Sequence, residues 1–111
     1  MQLIKNASED KLRGGFYTPN PIAAFILKWA FNGNQELDIL EPSCGDGVFL
    51  EEIQKRGYQY NSVIAVEYDE SEAEKSRNIG LADSKVIHSD FHDFCINTKK
   101  RFDLLIGNPP Y

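Results

Sequence analysis

Apolar residues in this chain fall into short uninterrupted runs that alternate with stretches of helical spacing. Asn20-Pro21 reads as a helix start, with Asn as the cap and Pro at the first helical position. Ile22, Phe25, Ile26 and Trp29 follow at helical intervals and predict one apolar face, and Gly33 ends the helix. Leu37-Asp38-Ile39-Leu40 predicts a first strand. Val48, Phe49, Leu50 and Ile53 mark a second helix, stopped at Gly57. Val63-Ile64-Ala65-Val66 is apolar throughout, as expected of a strand covered on both faces. Ser71 with Glu74 three residues on has the form of a capping box, and this third helix is expected to end near Gly80. Lys85-Val86-Ile87-His88 predicts a third strand nearer an edge, and Phe102 to Ile106 a fourth.

Strands separated by helices of this length imply right-handed crossovers and a parallel sheet, so the class is α/β, doubly wound. The fourth strand is expected beside the first. Ligands of such sheets sit at the carboxyl ends of the strands, next to the point where strand order reverses. Function is therefore to be sought at four strand ends.

Bulk properties narrow the field. The 111 residues suit one domain or part of one. No stretch approaches the roughly 18 apolar residues that span a bilayer, and the start, MQLIKNASEDKLRGG, has no signal-peptide core. A cytoplasmic protein is expected, with Cys44 and Cys95 as buried thiols in a reducing compartment. Their separation gives no metal-ligand spacing, and no metal is expected. The net charge of −5 argues against this chain alone gripping a phosphate backbone.

The first strand ends in Glu41-Pro42-Ser43-Cys44-Gly45-Asp46-Gly47. Gly45 and Gly47 allow close approach of backbone to a ligand, although a plain strand-to-helix turn also explains them. Glu41 and Asp46 put negative charge where a pyrophosphate would sit, so a ligand with an amino or sulfonium group suits the loop better. The second strand ends at Glu67, 20 residues after Gly47, the interval at which an acid reaches the hydroxyls of a bound ribose. A solvated loop carboxylate is the alternative there. At the third strand end, Asp90-Phe91 offers an acceptor for an adenine amino group and a ring to pack on its face. Phe94 reads as core and Asp93 as a cap or solvated residue. His88 and His92 read as surface or packing histidines, since His92 and Asp93 are neighbours whose side chains diverge.

The fourth strand ends in Gly107-Asn108-Pro109-Pro110-Tyr111. The Asn108 carboxamide and the Pro109 carbonyl, held stiff by the prolines, form two convergent acceptors. Two acceptors are what an amino group on an aromatic ring requires if its delocalised lone pair is to be freed for attack. Tyr111 would stack on the base.

Together these residues resemble the N6-adenine-specific DNA methyltransferases of restriction-modification systems, of the subgroup whose cofactor motifs precede Asn-Pro-Pro-Tyr. Phe16-Tyr17-Thr18-Pro19 is similar to the family's N-terminal motif, Glu41 to Gly47 to its glycine motif, and Asn108 to Tyr111 to its catalytic signature. The resemblance implies a Rossmann-like class I methyltransferase fold, here truncated to about four parallel strands in the order 3-2-1-4. It implies S-adenosylmethionine as cofactor, with Thr18, Glu41, Ser43 and Gly45 at the methionine end. Glu67 would hold the ribose, and Asp90 and Phe91 the adenine. It also implies a target adenine flipped from double-stranded DNA and held by Asn108 and Pro109 in line with the sulfonium methyl. Catalysis would then rest on positioning and on acceptors placed for developing charge.

Family members continue with further strands and a DNA-reading region. The chain thus reads as the S-adenosylmethionine-binding N-terminal half of a catalytic domain, expected to be inactive alone. DNA contact is expected through a C-terminal part, and self-association through the open edge of the fourth strand. A protein glutamine N5-methyltransferase shares the acceptor logic, as would an RNA base methyltransferase. A non-catalytic S-adenosylmethionine-binding module and a nicotinamide-dependent oxidoreductase are the readings from other classes.

Overall fold

The structure, a computed structural model, describes residues 18–107. Its elements in chain order are α1 (Asn20–Phe31), β1 (Asp38–Glu41), α2 (Val48–Arg56), β2 (Ser62–Glu67), α3 (Glu70–Ile79), β3 (Ser84–His88), α4 (Phe91–Asn97) and β4 (Leu104–Leu105). The strands form one parallel sheet in the order β3-β2-β1-β4, the expected order of a class I methyltransferase fold. β2 is paired along its whole length, whereas β4 joins β1 through Ile39 opposite Leu104 and Leu40 opposite Leu105.

Alternation along the strands divides the apolar residues between two faces. Ile39, Val63, Ala65, Leu104 and Ile106 pack with Ala23, Leu27 and Phe31 of α1 and with Phe49, Leu50 and Ile53 of α2. Leu40, Ile64, Val66 and Leu105 point to the opposite face, where α4 lies against β2. α3 lies along β2 and β3. Burying a side chain such as Leu27 or Phe31 is worth about 1.5–3 kcal/mol, enough to dock a helix that propensity alone leaves marginal.

Several local expectations are corrected. α1 is capped by Pro19, with Asn20 as its first residue. The Asn20 carboxamide instead reaches α2, donating to Glu52 Oε2 at 2.8 Å and Glu51 Oε1 at 3.3 Å. The rotation of α1 also differs. Ala23, Leu27 and Phe31 are buried, Ile26 is half-buried, and Ile22, Phe25 and Trp29 are exposed. The helix is apolar on two stripes, so periodicity cannot choose between them. The Asn20 tether and the stacking of Phe31 on Tyr58, 4.3 Å between centroids, turn the Ala23 stripe inward. At its end, Asn32 closes the helix in the left-handed region, one residue before Gly33.

α3 is capped two residues earlier than the capping box implied. Asp69 accepts from the Ser71 and Glu72 amides at 2.9 and 3.1 Å, while Glu74 pairs with Arg77. Residues 91–97 form a helix where only a strand end was expected, and Phe94 is half-buried between the rings of Phe91 and Phe102. Finally, Cys44 is buried as expected but Cys95 is exposed. No described helix is long and apolar enough to cross a membrane.

Candidate active site

The loop between β1 and α2 lies over the end of β2. The Cys44 amide donates to the Val66 carbonyl at 3.0 Å and the Gly47 amide to the Cys44 carbonyl at 2.9 Å, which folds the loop into a tight turn. Gly47, at φ 91°, caps α2 without a side chain. A Cβ on it would stand 2.4 Å from Ile79 Cδ1 and 2.9 Å from Ser76 Oγ, so its glycine is set by the close approach of α3.

Glu67 is tied into this loop. Its Oε1 accepts from the Gly45 amide at 2.7 Å and its Oε2 from the Asp69 amide at 2.9 Å. Each oxygen keeps a lone pair, so the carboxylate can still accept from two hydroxyls.

Glu41 ends β1 at 1% exposure, and its Oε1 has no hydrogen-bond partner. Burial, then the charges of Glu67 and Asp46, raise its pKa well above the usual carboxylate range. Asp46 is raised too, first by burial and then by Glu72, with Lys75 opposing. A buried carboxyl without a partner is costly, and such groups mark places where a donor or cation belongs. Gly107 runs alongside: at φ 152°, its missing Cβ would meet Glu41 Cγ at 3.2 Å. The end of β4 therefore abuts the end of β1 at this acid.

Thr18, Glu41 and Ser43 share one cleft with Cys44, Asp46, Val48 and Phe49. Gly45 and Glu67 adjoin it through their mutual hydrogen bond. Asp90 and Phe91 stand at the end of β3 and open α4, where Asp90 Oδ1 caps the helix by accepting from the His92 amide at 2.6 Å and the Asp93 amide at 3.4 Å. The other Asp90 oxygen is not used by the cap, and Phe91 remains 37% exposed. Asn108, Pro109 and Tyr111 lie outside the described residues, as do Phe16 and Tyr17. His88 bridges the Tyr68 carbonyl and Glu70 at the surface, consistent with a packing role. Burial, then Glu41, push the Cys44 thiol up to about 12, so it is no nucleophile near neutral pH. One residue escaped sequence reasoning: Ser76 of α3 donates to the Gly45 carbonyl at 2.9 Å. A lone serine within a helix carries no signal for such a contact.

The profile of the N-6 DNA methylase family matches residues 2–111. The chain belongs to that family. Its cofactor is S-adenosylmethionine. Among curated relatives, the Type II methyltransferase M.CvrRI of Paramecium bursaria Chlorella virus XZ-6E is 37% identical over 98 residues, covering 88% of this chain and 24% of the relative. The Type II methyltransferase M.VspI of Vibrio sp. (strain 343) is 33% identical over 103 residues, 88% of this chain and 25% of the relative. The chain thus spans about a quarter of the length of these relatives. Among solved structures, a dimethyladenosine transferase from Plasmodium falciparum superimposes with a TM-score of 0.65 at 21% identity, over 86% of this chain and 34% of that one. That likeness is one of fold.

Proposed function

We propose that this family member transfers a methyl group from S-adenosylmethionine to the exocyclic amino group of adenine in double-stranded DNA. The observation that carries the reading is Glu41. A buried, unpartnered carboxyl lies among further acids at the end of β1, and the strand that leads into Asn108 ends against it. A cationic, phosphate-free cofactor fits this acid-rich site, because S-adenosylmethionine has an ammonium and a sulfonium but no pyrophosphate.

In this reading Thr18, Glu41, Ser43 and Gly45 receive the methionine end, Glu67 the ribose, and Asp90 and Phe91 the adenine. The cofactor supplies the electrophilic methyl. Asn108 and Pro109 accept the two hydrogens of the target amine, and Tyr111 stacks on the base, so the chain's contribution is placement and charge stabilisation. DNA is gripped by residues beyond this acidic chain.

A second copy is the partner we assign to the open β4 edge. Asn20 and Phe31 of α1 face α2 and Tyr58, and Ile22, Phe25 and Trp29 of the same helix are exposed. Leu105 of β4 is exposed as well.

The test is incubation of the intact protein with radiolabelled S-adenosylmethionine and duplex DNA, followed by digestion to nucleosides. Label in N6-methyladenine is expected. Label in methylcytosine, in RNA or in protein glutamine overturns the reading, as does calorimetric binding of a nicotinamide dinucleotide in place of S-adenosylmethionine.

A further inference from the structure

The peptide groups of Gly45 are held from two directions. Its amide donates to Glu67 Oε1 at 2.7 Å, and its carbonyl accepts from Ser76 Oγ at 2.9 Å. Both partners belong to one unit: β2 ends at Glu67, Asp69 caps α3, and Ser76 lies two turns along that helix. Ser76 is 2% exposed, and its Oγ also lies close to where a Gly47 Cβ would stand. It therefore lies against the loop at both Gly45 and Gly47.

A loop of this kind has few intrinsic preferences. Gly45 and Gly47 both adopt positive φ, and glycine populates either sign readily. Its orientation must come from outside, and the described contacts that supply it to Gly45 are Glu67 and Ser76. Glu67 cannot act alone, since under the proposed function it also accepts from the ribose. A donor fixed in a buried helix is free of that duty.

We propose that Ser76 is a positioning residue for the cofactor: by holding the Gly45 carbonyl it keeps the glycine loop in its binding shape, so that β2–α3 reads out the ribose and sets the methionine end together. This rests on the assignment of the cofactor to this loop. It predicts that loss of the hydroxyl weakens S-adenosylmethionine binding while leaving the chemical step intact, because the hydroxyl acts through the Gly45 carbonyl.

The test compares Ser76→Ala with Ala73→Gly in the intact protein. Ala73 is fully buried on the same helix, so its change loosens α3 without removing a loop contact. Ser76→Ala is expected to raise the calorimetric Kd for S-adenosylmethionine about tenfold, equivalent to about 1.4 kcal/mol. The KM for cofactor should rise in parallel, with kcat at saturation within about twofold. Ala73→Gly should lower the melting temperature but leave the Kd within about twofold. A Kd unchanged in Ser76→Ala, or raised equally by Ala73→Gly, overturns the proposal. Should Ser76→Ala not fold, Ser76→Cys, of similar size with a weaker donor, gives the same readout. Failure of the unaltered protein to bind S-adenosylmethionine would remove the cofactor assignment itself, whereas binding that ignores Ser76 would remove only this inference.

Discussion

The two sides of the sheet are finished to different degrees. Around β2, each strand neighbour is present, α3 closes over the glycine loop, and the polar groups are tied by short hydrogen bonds. Around β4, among the described residues, the ladder is two residues long and Leu105 is exposed, and on α1 Phe25 and Trp29 are 73% and 78% exposed. The same kinds of residue occur on both sides. What separates them is the presence of a partner, so apolar character alone does not identify the core.

That contrast can be broken most sharply within α1. Leu27→Ala is expected to cost about 2–5 kcal/mol in urea unfolding, as a fully buried leucine does. Trp29→Ser, two residues on, should stay within about 0.5 kcal/mol for the dissociated protein. The same Trp29 variant should move self-association, seen by sedimentation, to higher concentration. Equal losses at the two positions would mean that the outer stripe is packed in solution.

A second contrast uses glycines of like conformation. Gly47 and Gly33 have φ of 91° and 82°, but only the first meets another element. Gly33→Ala should cost only the backbone strain, about 1 kcal/mol. Gly47→Val must also displace Ser76 and Ile79, and about 2–4 kcal/mol is expected. Denaturant midpoints compare the two.

A third contrast is the pH dependence of Glu41. Its folded pKa lies above the ordinary 4.5, so the folded state keeps the proton that the unfolded chain releases. Stability is therefore undiminished below 4.5, falls as pH rises from there, and levels off above the raised folded value. Glu41→Gln should gain on the unaltered protein across that window, by at most about 1.4 kcal/mol per pH unit. It should bind S-adenosylmethionine less well in exchange. Urea titrations at acid and neutral pH read the first effect and calorimetry the second. A stability difference independent of pH would show that folding leaves the Glu41 pKa unchanged.

Much of this fold was legible beforehand for a physical reason. Uninterrupted apolar runs such as 63–66, bounded by turn residues, have few alternatives in a parallel sheet, and crossover handedness then restricts the order. The strand-end acids were legible because topology brings carboxyl ends together. What stayed hidden depends on competition between near-equals. α1 had two apolar stripes, and tertiary contacts at Asn20 and Phe31 chose between them. Ser71 and Glu74 formed a credible box, yet Asp69 stood two residues earlier with a better acceptor. The seven residues of α4 were too few for a period to declare itself. Ser76 acts across 31 residues of sequence, and no local pattern encodes that.

The β1–β4 ladder carries one more consequence. Asp38 and Asp103, which meet at its start, are 65 residues apart, against 24 between Asp38 and Ser62 across β1 and β2. Loop-closure entropy rises with such separation, so β4 joins a sheet whose other strands have cheaper encounters. The strand that leads into Asn-Pro-Pro-Tyr is therefore expected to join the sheet late. Under the proposed function, the floor for the cofactor would then form before the tip that uses it.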